Sequence, residues 1–443
     1  MKRYTREDII RLVQDEDVEF IRLQFTDILG TFKNIAVTSS QLEKALDNRC
    51  AFDASPIDGF AKGGESELYL YPDYNTFEIF PWRPQQGKVA RLICDVCYPD
   101  GTPFEADPRY ILKKAIAQAQ EMGYRLEVGP ECEFFLFHSD DNGLATTLTH
   151  EQAGYFDVSP LDQGENARRD IVMMLEDMGF EVEASHHEAA PAQHEVDFKH
   201  AETLRTADNI MTFKLAVKTI AKRHGLHATF MPKPKYGVDG SGMHINMALI
   251  KDGKNVFTDA DGEYGLSKET LYFIGGIMKH VKGMTAITNP IVNSYKRLVT
   301  GYEAPVYIAW NAANRSPLIR IMREKETERL VELRSPDSAA NPYLALALCL
   351  RAGMEGIREQ IMPPKSMDCN LFELTKEEKE KNNIEEIPGT LGAAIKEMQK
   401  DPFIKEALGE YAYEKYIELK KREWNEYKSQ VSEWEIQQYL NRY

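Results

Sequence analysis

Gly129-Pro130-Glu131-Cys132-Glu133-Phe134-Phe135-Leu136-Phe137 reads as a buried strand, rich in aromatic residues and preceded by a helix that closes near Gly123. Alternate residues of a strand share a face, so Glu131 and Glu133 point the same way, ~6–7 Å apart. Two carboxylates on one face of an apolar strand must be protonated, paired with cations or bound to metal. One reading is a solvated strand end with two Lys or Arg partners. The other is a divalent-metal site, and the rest of the chain decides between them.

Upstream, Thr5 and Asp8 form a capping box for a short helix through Val13. Val18–Phe25 and Thr31–Val37 read as a hairpin around Gly30. A short helix, Gln41–Leu46, precedes the loop Phe52–Phe60, and strands follow at Leu68–Tyr71, Thr76–Ile79 and Lys88–Val96. The first hundred or so residues therefore predict a small mixed sheet, with a boundary at Asp100-Gly101 and domains of 1–100 and 101–443.

Downstream, Asp107-Pro108 opens a helix to about Met122. Ser139–Gly164 is irregular, and a helix runs from about Asn166 to Met178. Strands follow from Phe180 and near His194-Glu195, then a helix over Asp208–His224. Gly240-Ser241-Gly242-Met243-His244 leads into a strand through Leu249. Asn293–Pro305 is a polar loop, Leu318–Met322 and Leu330–Leu333 are strands, and Asn341-Pro342 starts a long helix. The tail from Leu374 reads as helical and mostly surface.

The chain has 443 residues, 43% hydrophobic and 28% charged, with a formal net charge of −16. That balance describes a globular protein and argues against a general nucleic-acid binder. No apolar stretch has the length of a membrane span, and Met1–Asp8 lacks a signal-peptide core. A cytoplasmic location is expected, and the six scattered cysteines suit a reducing compartment. Cys94 and Cys97 form a C-x-x-C with no second pair, which is poor support for zinc.

The polar residues on the strands are organised. His244 and Asn246 alternate onto one face, as do Glu332 and Arg334, while Glu188 ends one strand and Glu195 starts the next. With Glu131 and Glu133, five carboxylates and one imidazole could hold two or three ions, and that donor set suits Mg²⁺ or Mn²⁺ better than zinc. Arg297, Arg315, Arg320 and Arg334 fall within 40 residues, which points to a carboxylate or phosphate substrate. A two-metal hydrolase or nuclease is the competing enzyme class.

At these residues the chain resembles class I glutamine synthetase, essentially end to end. The resemblance rests on Gly129–Phe137, Glu183–Glu195, Met231-Pro232-Lys233-Pro234, Gly240–His244, Asn293–Pro305, Asn314-Arg315-Ser316, Glu332–Asp337 and Asn341–Leu344. It implies an α+β fold: a small N-terminal β-grasp-like domain, then a catalytic domain with a curved, mainly antiparallel sheet flanked by helices. It also implies a homododecamer of two stacked hexameric rings with active sites between subunits. The implied reaction joins glutamate and ammonia at the expense of ATP through γ-glutamyl phosphate.

Position by position, the resemblance assigns one metal to Glu133, Glu188 and Glu195 and another to Glu131, His244 and Glu332. It assigns glutamate and phosphate binding to Gly240, Arg297, Arg315, Arg320 and Arg334. Asp53 of a neighbouring subunit, Tyr155 and Glu303 would form the ammonium pocket, with Asp53, Glu303 and Arg315 catalytic. Glu183 and Asn246 would contact ATP. Phe372 follows Asn370-Leu371, where a longer subtype carries a modifiable tyrosine, so the shorter, non-adenylylated subtype is expected. Lys62 stands where a feedback-inhibition arginine is common.

The family pattern is altered around the site. Ala54 and Pro56 change the ammonium loop, Asp239 replaces an asparagine, Ala248 a serine, Thr300 a proline, and Leu330 an arginine displaced to Arg329. Three activities fit such a chain. They are a glutamine synthetase, a γ-glutamyl–amine ligase using an organic amine, and a weakly active or inactive paralogue acting through a regulatory protein partner.

Overall fold

A computed structural model describes residues 4–60, 66–302, 304–312, 316–325 and 328–443. The expected site residues Glu303 and Arg315 lie outside the described residues, as does Lys62.

A five-stranded sheet runs in the order Phe32–Thr38, Val18–Thr26, Lys88–Cys97, Glu67–Ile79, Cys50–Asp53. Its central pair is parallel and the other pairings are antiparallel. The hairpin forms as expected: Asp27 accepts from the amides of Leu29 and Thr31 at 3.0 and 2.8 Å, and Gly30 adopts φ +83°. The two strands expected at Leu68–Tyr71 and Thr76–Ile79 are one strand with a register shift between Asp73 and Glu78. Pro72 is tolerated because the outer strand pairs only as far as Leu70, so no neighbour needs a donor there. The loop expected from Phe52 begins as the end of that outer strand.

The large sheet is ordered Trp310–Asn311, Ile319–Lys325, Glu328–Leu333, Met243–Lys251, Arg125–His138, Gln193–Phe198, Val182–His187. Apart from one parallel edge pair, its pairings are antiparallel. The 14-residue strand Arg125–His138 lies inside this sheet, and short strands Ala201–Glu202 and Leu226–Thr229 also pair with it. The helix expected from Asp208 begins at Thr203. Thr203 and Thr206 hydroxyls donate to the Leu126 and Val128 carbonyls at 2.7 and 3.0 Å, so a tertiary contact fixes that first turn. The tail is helical and mostly surface, as expected, with one apolar side buried in the core at Leu391, Ile395, Met398, Phe403, Ile404 and Tyr416. Among the described residues no helix is long and apolar enough to cross a membrane.

Two polar ties join the five-stranded sheet and its hairpin to helices later in the chain. Arg109 is buried and holds Asp73 and Asp95 of the five-stranded sheet at 2.7 and 2.8 Å, and Asp208 of the Thr203–Arg223 helix at 2.9 Å. Asn341 caps its helix by accepting from the Tyr343 amide at 3.1 Å, and donates to the Asp27 and Ile28 carbonyls.

His280, on the Lys268–Thr288 helix, lies 2.8 Å from Asp401 Oδ2 and 3.0 Å from Glu355 Oε1 and stacks on Phe403. Burial opposes its charge, but the hydrogen bonds to Asp401 and Glu355 outweigh it and raise its pKa. A raised pKa contributes stability that is complete below the unfolded value of about 6.5 and lost as pH rises through the folded value. The melting-temperature advantage of the wild type over His280→Gln should therefore shrink between pH 6 and pH 8.5. An advantage that grows over that range would contradict the charged imidazole.

Candidate metal and substrate site

The central strand sets the site because its two neighbours bring their own polar residues into register. Across one ladder Glu131 faces His244, and the next strand out places Glu332 opposite Asn246. Across the other ladder Glu133 faces Glu195 and Glu131 faces Asp197. Period-two alternation keeps all of these on one face.

Two groups of ligand atoms result. Glu131, His244 and Glu332 place one potential ligand atom each within 4.8 Å of one another, and so do His186, Glu188 and Glu195. In the first, Glu131 Oε2 is 2.9 Å and Glu332 Oε1 3.5 Å from His244 Nδ1. Asn246 Nδ2 donates to the other oxygen of Glu131 at 2.9 Å. Burial opposes ionisation of Glu131, but the hydrogen bonds from His244 and Asn246 pull its pKa down to about 2. Arg320 Nε lies 2.5 Å from Glu332 Oε2, and Arg334 Nε 3.3 Å from Glu332 Oε1.

In the second group, His186 sits 3.5 Å from both Glu188 Oε1 and Glu195 Oε1. Glu133 accepts from Gln193 Nε2 and from the Gly242 amide, each at 2.9 Å. Burial, and then the charges of Glu133, Asp197, Glu131 and Glu188, push the Glu195 carboxyl well above its usual range. Asp197 is raised to about 7, chiefly by burial. Buried carboxylates crowded in this way repel one another, and hard divalent cations between them would let all ionise together. The oxygen-rich donor set with one imidazole in the first group fits such ions.

A cleft opens beside the second group, lined by Glu133, Glu188, Gln193, Asp239, Arg297 and Arg334 among others. Arg297 is buried, and its guanidinium is fixed by the carbonyls of Arg334, Ser335 and Pro336 at 2.8–3.2 Å. Gly240 must be glycine because a Cβ there would meet the Pro232 carbonyl at 2.3 Å. Asp239 brings a negative charge into the cleft, and Lys233 supplies a nearby cation: burial lowers the Lys233 pKa while Asp239 opposes that fall. Tyr302 covers the Lys233 ammonium at 3.5 Å from its ring centre.

The remaining expected residues are placed as follows. Asp53 ends the outer strand of the small sheet, and Tyr155 is half-exposed and packs edge-on against His186. Ser55 and Ser66 hydrogen bonds hold the exposed Asp53 carboxyl below its usual range. Neither residue lines the cleft of the single chain. Glu183 lies exposed on the edge strand. Leu330 is buried on the face shared with Glu332, and the Arg329 guanidinium turns instead to the Tyr264 carbonyl.

Gln193, Asp197 and His186 also stand in the site, outside the set expected from the sequence. For Gln193 and Asp197 the signal existed, because Gln193, Glu195 and Asp197 alternate along one short strand.

Two family models match the chain: "Glutamine synthetase, beta-Grasp domain" over residues 17–99 and "Glutamine synthetase, catalytic domain" over residues 105–439. A glutamine synthetase of Clostridium saccharobutylicum is 58% identical over 443 residues, covering 100% of both chains. One from Thermus thermophilus is 53% identical, covering 99% of this chain and 100% of its own. Among solved structures, the GmaS/ADP complex superposes with a TM-score of 0.89 at 33% identity, covering 98% of this chain and 99% of the other. The Plasmodium falciparum glutamine synthetase superposes at 0.87 with 26% identity, covering 99% of each chain.

Proposed function

The chain belongs to the class I glutamine synthetase family, and we infer from that membership and the site how its residues divide the work. The protein is a glutamate–ammonia ligase that makes glutamine at the expense of ATP. The observation that supports the division of roles is two ligand groups, Glu131 with His244 and Glu332, and His186 with Glu188 and Glu195 beside Glu133, next to a cleft that Arg297 and Arg334 line.

Divalent ions, Mg²⁺ or Mn²⁺, would neutralise phosphate and carboxylate charge when bound. Glu133, Glu188 and Glu195 would hold the one nearer glutamate, and Glu131, His244 and Glu332 the one nearer ATP. Arg297 and Arg334 hold the carboxylates of glutamate, with Arg320 and Arg315 toward the transferring phosphate. Gly240 lets the backbone approach the amino acid, and Asn246 and Glu183 contact the nucleotide. Asp53, supplied by a neighbouring subunit of a two-ring dodecamer, binds ammonium with Tyr155, and Glu303 takes its proton and helps exclude water. Residues 1–100 and 101–443 are the two domains of this assignment.

Phosphate release from ATP with glutamate and Mg²⁺ or Mn²⁺ tests the reading. Saturable release with ammonium at low concentration is expected. Release only with an organic amine would overturn it, and so would no release with any acceptor from an assembled protein.

A further inference from the structure

Behind the second ligand group lies a buried polar chain that no substrate role uses. Glu151 is 6% exposed, yet three donors meet its two oxygens. Oε1 accepts from His187 Nε2 at 2.8 Å and from the Ala192 amide, and Oε2 accepts from the Gln163 amide at 2.9 Å. His187 is fully buried, and its Nδ1 lies 2.6 Å from the Glu188 carbonyl oxygen. Both ring nitrogens face acceptors, so both carry protons.

Of the two groups that Glu151 holds, His187 immediately precedes the turn Glu188–Gln193 and Ala192 lies within it, next to its end. The turn is closed within itself: the Glu188 amide donates to the Gln193 carbonyl at 2.8 Å, and the Gln193 amide to the Ala190 carbonyl at 3.0 Å. Ala192 adopts φ +69° while buried, a left-handed conformation that a non-glycine residue keeps only when its surroundings enforce it. The bond from its amide to Glu151 is such an enforcement. At the ends of this turn stand Glu188 and Gln193, and Gln193 in turn holds Glu133.

Glu151, His187 and His194 also have the spacing of a metal site. The hydrogen bonds exclude that use. A guanidinium only donates, and Arg168 Nη1 lies 2.8 Å from His194 Nδ1, so the proton of His194 is on Nε2 and no lone pair is left for an ion. Arg168 is itself fixed by Asp162 at 2.7 Å.

We propose that Glu151 is the positioning residue of the glutamate-side ligand group, setting through His187 and the Ala192 amide where Glu188 and Gln193 point. The proposal rests on the metal assignment made above for Glu133, Glu188 and Glu195. An amide at position 151 keeps the shape of the carboxylate but must turn its NH₂ toward a donor whichever way it flips.

The test titrates Mn²⁺ alone into the full-length assembled protein and measures KM for each substrate. In Glu151→Gln, Mn²⁺ affinity of the glutamate-side site should fall about 10–100-fold, the range seen when groups that orient metal ligands are removed. The glutamate KM should rise, the ATP KM should stay within about twofold, and Glu151→Asp should recover part of the loss. Unchanged Mn²⁺ affinity in folded Glu151→Gln overturns the proposal. So does an equal rise of both KM values with a large fall in melting temperature, which would mark a merely structural role. If Glu151→Gln does not assemble, His187→Gln is measured instead, and wild-type Mn²⁺ affinity there overturns the proposal. Glu188→Gln serves as the separate control: wild-type Mn²⁺ binding in that variant would refute the metal assignment itself.

Discussion

Glu133→Gln is expected to lower turnover about 10³-fold, corresponding to roughly 4 kcal/mol of lost charge stabilisation at a metal-assisted centre. Glu133 sits where three segments of the proposed glutamate side meet. It pairs across the ladder with Glu195, and its carboxylate is aimed by Gln193 and the Gly242 amide. Glutamine is nearly isosteric, so the strand and its packing should survive and the melting temperature should move by only a few degrees. The substitution removes one negative charge and turns an NH₂ group toward a donor or an ion. Mn²⁺ affinity should fall together with turnover. A folded variant with an unchanged rate would show that the assignment of this strand to metal is wrong.

Gly242→Ala is expected to be nearly as severe, although it adds only a methyl group. A Cβ at this position would stand 2.7 Å from Arg297 Nη2, 3.0 Å from His244 Nε2 and 3.3 Å from Glu133 Oε1. Those three atoms belong to the arginine proposed to hold substrate, to the first ligand group and to the carboxylate proposed to complete the second, so one methyl displaces all of them. A misplacement of ~1 Å in such a site costs about 10²-fold in rate. Gly242 is not in the left-handed region, so alanine brings no backbone strain, and the loss should appear in kcat and the glutamate KM rather than in stability. Gly389→Ala is the matched control, because a Cβ there meets nothing within 4 Å. Equal activity of the two variants would contradict the geometry around Gly242.

Much of the site was legible because strand parity is a local property. Glu131 with Glu133, His244 with Asn246, and Glu332 with Arg334 can each be assigned to a shared face from spacing alone. The same rule, applied to Gln193, Glu195 and Asp197, would have found two further members. The displaced arginine was also readable: moving a cation by one residue in a strand moves it to the opposite face, where Arg329 is found. The merged strand Glu67–Ile79 was less accessible. Pro72 normally argues against a continuous strand, and only the short reach of its outer neighbour makes it harmless. The tail is mostly surface, as its composition suggests, but its many Glu and Lys residues conceal an apolar side that the Lys268–Thr288 and Pro342–Glu359 helices cover.

The sequence by itself determined the chemistry on offer: which side chains are acidic, which are cationic, and which share a strand face. It also carried the family, because the motifs run from one end of the chain to the other. Only the tertiary structure decided how those groups are held. Glu133 is aimed by an amide 109 residues away, and Glu151 grips a histidine 36 residues away. Lys233 is held near Asp239 because its ammonium donates to the Val238 carbonyl, where one loop folds back on itself. Parity follows from the geometry of a single strand, whereas such partners depend on sheet register and loop packing, which no short window of sequence specifies.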